Sequence, residues 1–419
     1  MEPFIPPGFS LPLLWTLDIS FPILAKLIQN LEEIEISSED RQYLRTLRNK
    51  RLIYASNHPT TTEPIVAYYV ANVMGSRFNY MASRQVFDWG NGLVGKFIQN
   101  VGAFSVLPGA SDKESIRTAR KILSNPQGKL VLFPEGEPTS GENDHLMPFQ
   151  PGIAQLAFWA YEDVIKSEPN EDIVILPAFV KYIMKGTDAQ IKGELHQSLK
   201  KIEAQLGIDP KNKNLLRRFL TIGRVLLEQA EKTYQILPEI DKGWDYRIGR
   251  IRHQILDNVA EKLKITGYNK DTHAIDKLRY LLSIAEMITV QYPDPRLPKI
   301  TPNELEWIKR ECLKAYNFIS IHTEYLISYP TAERMYEWLK HFEEYLFGES
   351  KFRPRKAVVR FRPVISIKEH YPEYQKSKKN AVKELTSKMK REIQILLEEC
   401  KNLTKPIVRP YDVGEDLIQ

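Results

Sequence analysis

The chain has 419 residues, 42% apolar and 27% charged, with a formal net charge of +6. That length can bury a large core and hold more than one structural unit, and the composition is that of a globular protein, which excludes wholesale disorder. The modest positive charge favours anionic partners, but no nucleic-acid module signature accompanies it and no nucleic-acid partner is expected.

Residues 1–34 form an apolar N-terminal segment. Between 10 and 31 it carries Leu11, Leu13, Leu14, Trp15, Ile19, Phe21, Ile23, Leu24, Leu27 and Ile28, interrupted by Asp18 and Lys26. A basic n-region and a small-residue cleavage pattern are both missing. The longest uncharged run, Pro3 to Leu17, contains four prolines, so it is expected to be too short and too broken to span a bilayer, which takes about 20 apolar residues. Two readings stay open: an interfacial anchor inserting Trp15 and Phe21, or a helix packed on the protein's own core.

A charged helical stretch around Asp40 to Lys50 follows, and then strand and helix alternate. Strands are expected at Leu52–Ala55, Phe78–Ala82, Ala103–Val106, Leu130–Phe133 and Ile173–Leu176, with helices near 64–74, 92–99, 113–123 and 153–165. This pattern predicts an α/β domain with a largely parallel sheet flanked by helices, whose site forms at the carboxyl ends of the strands. From 187 to 352 the spacing is helical, as in Leu215, Phe219, Ile222 and Leu226. Lys356–Phe361 then returns to strand composition, ahead of an amphipathic helix from about Ser377 to Cys400. A late strand needs a sheet to join. The expected division is therefore 35–186 and 353–403 for the α/β domain, 187–352 for a large all-helical insertion, and 404–419 for a tail.

Two turns carry the chemistry. In the first, Asn57-His58-Pro59-Thr60-Thr61-Thr62-Glu63 links the first strand to a helix. His58 alone among the eight histidines has an acidic residue five positions on. A carboxylate at that offset can reach back to the imidazole and fix its tautomer, the arrangement of a general base. Taken alone the pair is a weak motif, and a satisfied histidine at a helix N-terminus is its ordinary reading. In the second turn, Phe133-Pro134-Glu135-Gly136 follows a buried strand, with Pro134 setting the backbone and Gly136 permitting a strained dihedral. Cys312 and Cys400 stand far apart without CxxC spacing, so neither a disulfide framework nor a metal site is proposed, and a reducing compartment is expected.

Together the two turns resemble the glycerolipid acyltransferase family of glycerol-3-phosphate and lysophosphatidic acid acyltransferases, the PlsC-like domain. Asn57-His58 followed by Glu63 is similar to the family's first block, and Gly102-Ala103-Phe104-Ser105-Val106-Leu107-Pro108 to its second. Phe133-Pro134-Glu135-Gly136 matches the third, and Val174-Ile175-Leu176-Pro177-Ala178 the fourth. The resemblance covers about 35–185, with 354–400 similar to a closing strand and helix. It departs in three places: Glu63 replaces the usual Asp, Leu107-Pro108 stand where the second block has Arg, and Glu137-Pro138 where the third runs Thr-Arg.

The resemblance implies transfer of a fatty acyl group from acyl-CoA or acyl carrier protein to a hydroxyl of a glycerolipid precursor, without a bound cofactor. In that reading His58 is the base and Glu63 its orienter, while Phe133, Pro134, Glu135, Gly136 and Gly102 shape the acceptor site. Lys113, Arg117 and Lys181 are candidate phosphate or CoA contacts in place of the missing arginines. The alternatives are the same fold acting on a non-phosphate acceptor (a neutral alcohol, a prenylquinol or a lysolipid) and an inactive membrane-surface scaffold. A lipid acceptor implies peripheral attachment on the cytoplasmic side of a membrane, and the helical insertion is a candidate surface for a protein partner.

Overall fold

The computed structural model describes residues 4–109, 112–136 and 143–413. In order these form α1 (Leu11–Gln29), β1 (Leu31–Ile36), α2 (Ser38–Thr46), β2 (Arg51–Ser56), α3 (Glu63–Met74), β3 (Asn79–Ser83), α4 (Leu93–Asn100), β4 (Ala103–Val106), α5 (Lys113–Ser124), β5 (Lys129–Leu132), α6 (Gly152–Ser167) and β6 (Ile173–Met184). Seven helices follow: α7 (Asp188–Leu206), α8 (Leu215–Thr233), α9 (Trp244–Lys262), α10 (Ala274–Thr289), α11 (Pro302–Ile319), α12 (Thr323–Ser328) and α13 (Ala332–Phe347). The chain closes with β7 (Arg355–Phe361), β8 (Ile365–Ser366), α14 (Ile367–Lys376) and α15 (Lys378–Lys401). Two compact units result, one from residues up to 183 with 353–403, the other from 184–352 with the chain after 403.

The first unit is an α/β domain, as the alternating pattern predicts. Its sheet runs β1-β7-β6-β2-β5-β3-β4, with β8 antiparallel on β6. The central strand β2 is parallel to both neighbours, Tyr54 lying opposite Leu176 on β6 and Val131 on β5. Side chains alternate across a strand, so Ile53, Ala55, Leu130 and Ile175 enter a core shared with α5, α6 and α15. Leu52, Tyr54, Val131 and Leu176 enter a second core on the opposite face, shared with α2 and α3. Covered on both faces, β2 and β5 are buried along their whole length, which is why they read as short apolar runs.

The structure departs from the sequence reading in several places. The edge strand β1, Leu-Glu-Glu-Ile-Glu-Ile, is absent from the expected elements because its glutamates disguise it, although charge is what protects a sheet edge. Its partner β7 is the strand expected near 356–361, and it lies between β1 and β6. β6 does not stop before Pro177 but continues to Met184; Pro177, which has no N–H, still accepts a bond from the Arg362 amide through its carbonyl.

The N-terminal segment is also more regular than expected. α1 runs through Asp18 and Pro22 without a break for 19 residues, with a mean hydropathy of 1.5, long and apolar enough by length and composition to cross a membrane. Its inner face nevertheless packs on the domain. Leu14 and Leu17 are buried against Tyr68 of α3, and Asp18 accepts hydrogen bonds from Arg77, Tyr68 and Asn72. The outer face exposes Leu11, Trp15, Ile19, Ile23 and Leu27, one stripe at four-residue spacing.

The second unit is helical. α7 and α11 open with capping boxes, Thr187 with Gln190 and Thr301 with Glu304, each satisfying amides that a helix start leaves open. Leu215, Phe219, Ile222 and Leu226 of α8 lie in a core with residues of α7 and α13. The described part of the tail belongs here too: the Ile407 and Tyr411 amides donate to the carbonyls of Pro330 and Ile327, and Val413 is buried in the same core.

Candidate active site

The first turn leaves the buried end of β2 and is held to the sheet by Asn57. Its side chain makes both bonds of an amide pair with Val180 on β6, Nδ2 donating to the carbonyl at 3.0 Å and Oδ1 accepting from the amide at 2.8 Å. The next residue is thereby fixed. His58 Nδ1 lies 2.7 Å from Glu63 Oε2, and because a carboxylate only accepts, Nδ1 carries the hydrogen. The ring stacks on Phe133 with centroids 4.1 Å apart. Nε2 is left with its lone pair and no hydrogen-bond partner among the described residues, as a base requires.

Glu63 opens α3, where the helix dipole favours negative charge. It is fully buried and its charge is met by four donors. Oε2 accepts from His58 Nδ1 and, at 3.0 Å, from the Thr60 amide; Oε1 accepts from the Thr60 hydroxyl at 2.8 Å and the Tyr182 hydroxyl at 2.6 Å. Burial, with Glu63 beside it, pushes the Tyr182 phenol well above its ordinary pKa, so it stays a donor.

The second turn meets the first from the end of β5. Gly136 has φ of +83°, which a side chain rarely tolerates, and its amide closes the turn on the Phe133 carbonyl, while Pro134 receives the Gln150 amide. Glu135 is buried, and its two oxygens go to backbone: Oε1 accepts from the His58 amide at 2.7 Å, Oε2 from the Met147 amide at 2.8 Å. Burial pushes its carboxyl above the ordinary range, with the two amides pulling the other way. Glu135 therefore fastens the His58 turn to the loop before α6.

Other expected site residues sit elsewhere. Gly102, at φ +101°, is a packing glycine, since an added Cβ would stand 2.6 Å from the Phe9 ring and 2.8 Å from the Phe78 carbonyl. That space is filled, so packing alone requires glycine at this position. Lys181 is wholly buried in an ion pair with Asp144, so its ammonium is not offered to a phosphate. Arg117 lies exposed on α5, paired with Glu114, and Lys113 is exposed at the start of the same helix. Leu107, at the second-block position, is buried; Glu137-Pro138 fall outside the described residues. Among the described residues no cluster of three or more metal-ligating side chains occurs.

Two side chains that the sequence did not single out belong to the site. Tyr182 lies past the expected end of β6, and Asn143 holds its backbone, Nδ2 donating to the Tyr182 carbonyl at 2.6 Å and Oδ1 accepting from the amide at 3.1 Å. Only the alternation of β6 continued past Pro177 could have pointed to Tyr182.

Residues 34–181, which hold both turns and all four blocks, match the family model described as Acyltransferase. This stretch is a glycerolipid acyltransferase family domain. No curated protein and no solved structure matches the chain. The acyltransferase domain thus accounts for most of the first unit and ends one residue before Tyr182; the match does not extend to the helical unit or to β7.

Proposed function

We propose that the protein transfers a fatty acyl group from acyl-CoA or acyl carrier protein to a hydroxyl of a glycerolipid precursor, with His58 as general base and Glu63 as its orienter. The observation that carries this reading is the 2.7 Å bond from His58 Nδ1 to the buried Glu63, which leaves Nε2 as the basic nitrogen. Nε2 takes the proton of the acceptor hydroxyl as its oxygen attacks the thioester carbonyl. The tetrahedral intermediate then expels the thiolate, and the His58 imidazolium returns the proton to sulfur. The Glu63 carboxylate stabilises the imidazolium between these steps.

The acceptor divides the reading in two. The arginines associated with the family's phosphate-bearing acceptors are replaced by Leu107-Pro108 and Glu137-Pro138, and Lys181 is held by Asp144. This favours a non-phosphate acceptor as the second reading. Purified protein supplied with labelled acyl-CoA and a panel of glycerol-3-phosphate, lysophosphatidate, lysolipids and neutral alcohols decides between them. Loss of turnover in His58→Ala on whichever acceptor is used supports the mechanism, and wild-type turnover in that variant overturns it.

We further propose peripheral attachment to the cytoplasmic side of a membrane through α1. Leu14, Leu17 and Asp18 bind one side of the helix to the domain, and the Leu11, Trp15, Ile19, Ile23 and Leu27 stripe is free to enter the headgroup layer lying flat. Flotation with anionic liposomes tests it.

A further inference from the structure

We infer that Tyr182 is the positioning residue that sets the Glu63 carboxylate, and through it His58, against the sheet. The inference rests on the acyl-transfer reading of His58. Of the four donors to Glu63, three come from the same turn: His58 Nδ1, the Thr60 amide and the Thr60 hydroxyl. Asn57 and Glu135 place the backbone of this turn, but the three bonds made within it do not tie the Glu63 carboxylate itself to the sheet. The fourth donor, the Tyr182 hydroxyl at 2.6 Å, belongs to β6 and is the only one of the four anchored in the sheet.

Tyr182 is well suited to be that fixed point. Asn143 holds its backbone from both sides, and the side chain is buried. The Arg355 guanidinium lies over its ring at 4.3 Å from the centroid, and the same guanidinium donates to Thr62 Oγ1 at 2.7 Å. Thr62 precedes Glu63 and in turn donates to Gln29 at the end of α1 at 2.8 Å. Tyr182 and Arg355 both lie outside residues 34–181, so this support is built from parts of the chain beyond the family match. It also gives a reason for Glu63 where the first block usually carries Asp: the extra methylene lets one carboxylate reach the imidazole and the phenol together.

Removing the phenolic O–H leaves the Glu63 charge less shared. The carboxylate then stabilises the imidazolium more strongly, so the acid limb of the rate profile moves to higher pH, while the carboxylate loses its tie to β6 and the base its alignment. Among the described residues, the other charged or titratable groups around His58 and Glu63 are Glu135 from the β5 turn, Arg355 from β7 and Tyr54 from β2, and Tyr182→Phe leaves all three in place.

The experiment measures kcat, KM and the pH profile for full-length Tyr182→Phe, Glu63→Asp and the double variant, with thermal unfolding alongside. The expected result for Tyr182→Phe is a kcat about tenfold lower, the scale of one hydrogen bond to a charged group, with KM for the acyl donor unchanged and the acid limb displaced upward. Glu63→Asp should lose at least as much, and Tyr182→Phe should add little to it because the shorter acid no longer reaches the phenol. Wild-type kcat and pH profile in Tyr182→Phe overturn the inference, as does full additivity in the double variant. If Tyr182→Phe unfolds, Glu63→Asp decides alone: wild-type kcat and an unmoved limb overturn it. Turnover surviving in His58→Ala refutes the acyl-transfer reading itself, whereas a dead His58→Ala beside a neutral Tyr182→Phe refutes only the role of Tyr182.

Discussion

The two acidic turns of the α/β domain hold carboxylates that are equally buried and differently used. Besides the Thr60 amide, Glu63 faces three side-chain donors, an imidazole and two hydroxyls whose hydrogens can move or rotate, and it can follow a change of charge on His58. Glu135 faces two backbone amides, which cannot leave, so it fixes the path of the chain through His58 and Met147. Burial alone therefore does not mark a carboxylate as chemical; the mobility of the protons it accepts does.

The sharpest way to break this contrast is at His58. Replacing it with Ala is expected to lower kcat by about 10²–10⁴ in a steady-state assay while the protein stays folded, because the turn keeps its backbone bonds. Glu63→Gln comes next, at roughly 10- to 100-fold in kcat: an amide oxygen can still hold Nδ1–H, and the Thr60 and Tyr182 hydroxyls can turn to accept from the new NH₂, but the charge that stabilises the imidazolium is gone. Calorimetry should find this variant close to wild type in stability.

Glu135→Gln should do the reverse. One of its two amide bonds becomes a clash between donors, so stability falls by about 1–3 kcal/mol in denaturant unfolding, and turnover follows only as the His58 turn loosens. A large activity loss at unchanged stability would make Glu135 a partner in the chemistry and erase the distinction.

The smallest effect concerns α1. Bonding to Arg77, with Tyr68 and Asn72 added, holds the Asp18 carboxyl below the ordinary range against the opposing effect of burial. A folded value below the unfolded one means that this contribution is complete above the ordinary Asp pKa of about 3.9 and is lost as pH falls through the lowered value. Amide exchange in α1 should therefore quicken under acid before exchange in β2 does. Asp18→Asn should show the faster exchange already at neutral pH, with little change in kcat on a soluble substrate.

Much of this was legible in the sequence because it rests on periodicity or on local spacing. Buried parallel strands declare themselves as short apolar runs, and a five-residue offset across a turn brings His58 and Glu63 within reach of each other. What was not legible depends on partners distant in the chain. The glutamates of β1 conceal an edge strand until β7 lies beside it, and Pro177 looks like a strand end until the Arg362 amide is seen on its carbonyl. Lys181 looked available because nothing near it in sequence says that Asp144 is waiting inside the fold. The packing role of Gly102 was hidden because the Phe9 ring that fills the space beside it comes from far upstream in the sequence.

The position of β7 has a consequence for how the protein is made. β1 and β6 both leave the ribosome before residues 184–352, yet the strand that separates them in the sheet follows those residues. Until it arrives, each has an unpaired edge where β7 will lie, the kind of surface on which chains aggregate, and closing the gap means joining segments far apart in sequence, which is slow. The helical unit is complete in sequence before β7 apart from its C-terminal segment, so most of it can collapse first and shorten the effective loop that must be closed. A nascent chain halted before Arg355 would carry both acidic turns and both carboxylates yet lack the guanidinium that packs on Tyr182, so the site matures only once β7 is made.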